Sequence, residues 1–310
     1  MNKRHILFLI LLTFSSASFA QQIKRFNPDS IRTIVIDSAV NIHSHHLNAE
    51  DFIKAVLADT GFYKAFYNMK KYAFIAENRI YTYNKKNKVE GRIYRKLKHH
   101  NVAGTHKIDF LAKQDTGSVY KSNGKYQLYT VEMFDYIFMN AYNSDFIKGP
   151  ALPGEGSGKD ESYKDKLKKL IFTPGRRVSG IPFISGRTEI FSKDMRQFYY
   201  YQFSRGRYLD SIPVYIFRVV RKPSTSDGDT MIKEMTTIFD MRNFQILGRY
   251  IDMKYSNFLF SFNVQMNIEL AKYNNELLPV KITYQGNWDV PFHRTERASF
   301  LIVHKDYRRE

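Results

Sequence analysis

Residues 258–270, FLFSFNVQMNIEL, alternate apolar and polar side chains over thirteen positions with almost no error. Phe258, Phe260, Phe262, Val264, Met266, Ile268 and Leu270 fall on one side; Leu259, Ser261, Asn263, Gln265, Asn267 and Glu269 fall on the other. A period of two belongs to a strand with one face on a core and one toward water. At about 3.3 Å per residue this strand is roughly 40 Å long, far beyond the usual five or six residues, and it needs long neighbours.

The flanking sequence supplies them. From Met195 onward, extended segments are expected near 197–207, 212–222, 231–240, 244–255, 258–270, 278–289 and 295–304, separated by short turn-forming links. Short links join antiparallel neighbours in a meander. Alternation recurs where Leu278, Val280, Ile282, Tyr284 and Trp288 share one phase. Val214 to Val220 is apolar in both phases, so both sides of that strand need cover.

Upstream, Asn48 reads as the cap of a helix running to about Met69 and weakened at Gly61. Extended segments follow at 72–83, 89–97 and 105–112, then a hairpin about Asn123-Gly124. Thr130 is placed to cap a second helix from Val131 to about Tyr142. Residues 148–160, KGPALPGEGSGKD, read as a linker or mobile loop, and a short charged helix is expected over 161–171, ended by Thr173-Pro174-Gly175. The expected class is α+β, mainly β: a long curved antiparallel sheet, half-barrel-like, with two or three helices packed on it. Residues 21–147 and 161–310 are expected to form one continuous domain around the 148–160 loop.

Composition bounds the setting. Lys3 and Arg4, the apolar run Ile6–Leu12 and Ser18-Phe19-Ala20 have the layout of a secretory signal cut after Ala20. No later window is long and apolar enough to span a bilayer as a helix. The chain has no Cys, which removes disulfides, thiol chemistry and acylation at a lipoprotein cysteine. The formal charge is +18, or +16 once Lys3 and Arg4 leave with the signal. That surplus favours anionic lipid head groups or acidic glycans; for an exported protein, nucleic acid is not an expected partner.

The order of helix, strands, helices and long meander resembles the half-barrel of periplasmic lipoprotein carriers and related envelope stress regulators. The resemblance is one of layout, without a shared motif. Three segments, LADTGFYKAFYN at 57–68, FTPGRRVSGIPFISGRTEIF at 172–191 and LLPVKITYQGNWDVP at 277–291, resemble uncharacterised exported proteins of Bacteroidota. That resemblance implies an envelope location and brings no activity or site residues.

Motifs that carry chemistry are sparse. His43-Ser44-His45-His46 after a β-branched stretch has the spacing of a divalent-metal site, but the antiparallel chain that follows lacks the parallel strands of metal-dependent amidohydrolases. Gly154-Glu-Gly-Ser-Gly-Lys159 approaches a phosphate-binding loop, with Pro153 and Asp160 standing where Gly and Ser or Thr are needed. No nucleophile elbow is present.

The sequence therefore favours a non-enzymatic exported binding or scaffold protein. Its concave apolar face would hold a lipid, lipoprotein or other amphiphile, lined by Phe258, Phe260, Phe262, Val264, Met266, Val280, Ile282, Tyr284 and Trp288. No cofactor is expected. The alternatives are a metal-dependent hydrolase using His43, His45 and His46, and an interaction module with an exposed apolar patch or unpaired sheet edge.

Overall fold

A computed structural model describes residues 40–41, 47–139, 170–178, 185–256, 261–289 and 294–310. The signal-like leader, the His43–His46 cluster, the 148–160 loop and residues 161–169 of the third expected helix lie outside them.

Among the described residues eleven strands form one antiparallel sheet. In chain order they are β1 (Val40–Asn41), β2 (Ala73–Tyr83), β3 (Val89–Val102), β4 (Thr105–Gly117), β5 (Tyr199–Tyr208), β6 (Ile212–Arg221), β7 (Ile232–Asp240), β8 (Ile246–Ser256), β9 (Ser261–Tyr273), β10 (Glu276–Asp289) and β11 (Glu296–Arg308). Their order across the sheet is β1-β5-β6-β7-β8-β9-β10-β11-β2-β3-β4, so β5 to β11 are an uninterrupted meander and β2–β4 extend it beside β11. The architecture is the mainly-β α+β class that the alternating segments predict.

Among the described residues the α-helices given full bounds are α1 (Ala49–Ala58), α2 (Gly61–Asn68), α3 (Tyr129–Phe134) and α4 (Lys193–Arg196), and residues 170–172 are helical as well. The single helix expected from Asn48 to Met69 is two. Asn48 caps α1 in a reciprocal box with Asp51, and the chain leaves the helix at Asp59 with extended backbone. The Asp59 carboxylate then accepts from the amides of Gly61 and Phe62 and starts α2. Gly61 thus opens a helix instead of weakening one.

Two other expectations are corrected. The hairpin around Asn123-Gly124 forms but is short, with Tyr120 opposite Tyr126 and backbone bonds from the Lys121 amide to the Lys125 carbonyl and from the Gln127 amide to the Val119 carbonyl; of the two turn residues only Gly124 has positive φ, so the turn is not the primed type expected. The cap of α3 is not Thr130. The Glu296 carboxylate, from β11, accepts from the backbone amides of Tyr129 and Thr130 and from the Thr130 hydroxyl. A carboxylate at a helix start satisfies amides that have no partner inside the helix. After Phe134 the chain continues as a short π-helix, Asp135–Met139.

The sheet is buried on both sides through much of the meander, and β8 is buried at nearly every position. One side, here the helix face, carries Phe203, Phe217, Met235, Ile251, Met266, Ile282 and Phe300. On the far face, Gly248 makes room: a Cβ there would lie 3.5 Å from the Tyr208 ring and 3.6 Å from Ile238. Tyr208 is on β5 and Gly248 on β8, three strands away, so the β5–β6 end is rolled over the far face.

Candidate functional site

Aromatic side chains weld the helices to the helix face. Phe52 of α1 lies within 4.9 to 5.8 Å, centroid to centroid, of Phe203, Phe217, Phe239, Phe244 and Tyr215, and is wholly buried. Such offset and edge-on pairs add to plain area burial. A second group joins Phe62 and Phe66 of α2 to Phe172. A third stacks Phe134 of α3 on Phe300 of β11 at 4.3 Å, with Tyr284 of β10 at 4.4 Å.

Inside this layer sits Arg249. It is paired with Ile268 and Thr237 on the strands either side and is 1 % exposed. Its guanidinium lies 4.4 Å from the centre of the Phe62 ring, a cation–π contact. Nη1 donates two long hydrogen bonds, 3.4 Å to the Ile171 carbonyl and 3.3 Å to that of Phe172. Among the described residues Nε and Nη2 have no partner. Burial pushes its pKa down to about 10, against the opposing pull of Asp59, so the side chain is cationic at neutral pH. Burial likewise raises Asp59, an effect only partly offset by Arg249 and by the amides of Phe62 and Gly61. The site is a buried positive charge between the sheet and its cover, with three of its five N–H donors unused among the described residues.

Sequence reasoning passed over Arg249, although a signal was present. Along β8, Arg249 is in phase with Ile251, Met253 and Tyr255, a charge in an otherwise apolar column. The same face holds other polar groups. Asn78 is fully buried with neither amide atom partnered among the described residues. His99 stacks on Phe74 at 4.3 Å, and His304 donates from Nδ1 to the Pro279 carbonyl.

The residues expected to line a ligand are placed as follows. Phe258 and Phe260 lie outside the described residues. Val264, Met266, Ile282 and Tyr284 are buried on the helix face, with Tyr284 against Phe134. Phe262 is buried and stacks on half-buried Trp288 at 4.8 Å, and Trp288 Nε1 donates to the Tyr284 hydroxyl. Val280 is the extra residue of a β-bulge: pairing with β9 jumps from Pro279–Leu270 to Lys281–Glu269, and Val280 is half-buried. The bulge therefore interrupts the common phase read from Leu278 to Trp288. Proline cannot donate to a ladder, and the freed Pro279 carbonyl also accepts from the Tyr307 hydroxyl.

An open hollow of about 350 Å³ lies at the end of β8–β11, lined by Lys254, Tyr255, Phe262, Asn263, Asn287 and Arg297, with Asn87 and two serines completing it. His43, His45 and His46 lie outside the described residues, among which no three His, Asp or Glu side chains gather as a metal site. No helix among the described residues is long and apolar enough to cross a membrane.

No protein-family model matches the chain, and no curated protein does. Two solved structures overlap most of it. One, of an outer membrane lipoprotein-sorting protein domain from Vibrio parahaemolyticus, has 12 % identity and a TM-score of 0.26, over 84 % of this chain and 93 % of that one. The other, of a DUF1329 family protein from Desulfovibrio piger, has 12 % identity and a TM-score of 0.24, over 83 % and 93 %. At these TM-scores the overlaps are too loose to transfer a ligand or an activity.

Proposed function

We propose that the chain is an exported, non-enzymatic binding protein of the cell envelope that holds an amphiphile between the aromatic helix face and the cover made by α1, α2 and residues 170–178. Arg249 is the observation that carries this reading. Removing a cation from water costs several kcal/mol, and a buried charge is retained without loss only when its hydrogen bonds are complete. Here they are not: two long bonds to carbonyls and one aromatic ring face the guanidinium. A lipid carboxylate, phosphate or ester carbonyl seated under the cover would satisfy Nε and Nη2, while its acyl chain lay along Phe62, Phe66, Met266 and Ile268. The described residues fill this layer with side chains, so the ligand enters by displacing residues 171–172, whose only described hold on Arg249 is the pair of long bonds.

The test is native mass spectrometry, with organic extraction, of the mature protein purified without detergent, alongside Arg249→Met. The wild type is expected to carry a lipid-like mass that the variant loses. Met fills the same space without charge, so the variant is expected to be as stable as the wild type or more so. An empty wild-type protein, or an Arg249→Met protein that keeps its lipid, sinks the reading.

A further inference from the structure

The far face carries a polar strip that none of this uses. Lys254, Asn263, Asn287 and Arg297 are consecutive partners across β8, β9, β10 and β11, and they form one wall of the 350 Å³ hollow. One residue pair further along the same face, Asp252 is partnered with Gln265. Both are more than nine-tenths buried, and Gln265 Nε2 donates to Asp252 Oδ2 at 3.3 Å. The remaining oxygens, Asn263 Oδ1, Gln265 Oε1 and Asp252 Oδ1, have no partner among the described residues. Buried acceptors left unmet are destabilising, and three neighbours of this kind are unusual.

Their chemistry narrows what could meet them. All three are acceptors, so a phosphate or carboxylate would be repelled, not bound. An inorganic cation is disfavoured too, because Lys254 and Arg297 flank the row and Lys233 Nζ stands 3.4 Å from Asp252 Oδ2. Lys254 is already paired with Asp227, and Arg297 donates to the carbonyls of Asn84 and Lys85. What remains is a neutral molecule rich in hydroxyl or amide donors. Tyr255 and Phe262 add aromatic surface to the hollow, which suits the apolar face of a sugar ring, and the volume falls within the ~300–1,000 Å³ of small-molecule sites.

We propose that the Asn263–Gln265–Asp252 strip and the adjoining hollow form a saccharide-binding subsite. The strip lies on the side of the sheet opposite Arg249, the hollow opens at the strand ends where Tyr255 and Phe262 of the other face reach it, and the proposal does not depend on the amphiphile reading. Titrating the mature protein with three neutral probes, maltotriose, cellotriose and N,N′,N″-triacetylchitotriose, followed by calorimetry and Trp288 fluorescence, tests it. At least one probe is expected to bind, with affinity falling roughly tenfold or more in Asn263→Leu and in Gln265→Met, and unchanged in Tyr200→Phe, a half-exposed ring on β5. Two variants are used so that a folding defect in one leaves the other to decide. The proposal is overturned if no probe binds up to about 10 mM, or if both variants bind as the wild type does. A rise in thermal stability of the variants without any saccharide binding would also overturn it, since the three acceptors would then be unmet polar groups and nothing more.

Discussion

The Tyr208 hydroxyl, at the end of β5, donates to the Leu270 carbonyl of β9 at 2.9 Å, and at the same distance to the Leu247 carbonyl of β8. In a flat sheet β5 and β9 would stand roughly 19 Å apart, four strand spacings. One phenol therefore closes the roll of the sheet, and burial raises its pKa so that it stays a donor at every accessible pH. Tyr208→Phe keeps the ring and strands two buried carbonyls, with an expected loss of about 1–3 kcal/mol. Urea unfolding measures it; Tyr200→Phe, at a half-exposed ring on the same strand, should change nothing.

Gly286 is set by the ring beside it. A Cβ on Gly286 would meet the Tyr284 hydroxyl at 2.3 Å and Val264 at 3.1 Å. Gly286→Ala should push Tyr284 from Trp288 Nε1 and from Phe134. Trp288 is the only tryptophan, so a shift in its emission in the folded variant reports the change directly. Unaltered emission would mean the ring accommodates the methyl in place.

The two buried histidines make the fold acid-sensitive. Burial lowers His99 from 6.5 to about 3, helped by His304 and His100, and lowers His304 to about 4 against the opposing Pro279 hydrogen bond. Between these values and 6.5 the unfolded chain binds more protons than the folded one, so the stabilisation is complete above pH 6.5 and drains away as pH falls toward 4 and then 3. From pH 7 to 5 the expected loss is about 1–2 kcal/mol per histidine. His99→Phe, which retains a ring against Phe74, should flatten that slope in denaturant titrations at the two pH values.

Glu296 ties α3 to β11. Glu296→Ala removes the only described acceptor for the Tyr129 and Thr130 amides, and a cap of this kind contributes about 0.5–2 kcal/mol. Hydrogen exchange at these two amides should accelerate while the amides of β9 keep their protection. Equal acceleration in both would mean that α3 does not open locally.

The β4 edge shows where pattern reading stops. Phe110 and Leu111 are both more than half exposed at a bulge in which Leu111 is the extra residue, opposite Lys96 and Leu97. Alternation placed the strand but ended it near Ala112, because Lys113-Gln-Asp-Thr-Gly117 has no apolar phase to follow.

What the sequence determined by itself was the ribbon: seven strands from Tyr199 to Arg308, each within a few residues of its expected span, because alternation is a property of a single strand and needs no partner. The tertiary structure alone decided which polar side chains were trapped. Arg249 lies against Phe62, Ile171 and Phe172, which come from elements separated from it by some 77 residues or more of sequence. The bulges at Val280 and Leu111 shift the faces that any count from a distance assumes constant. Burial is a property of what packs above a residue, and no local period encodes that.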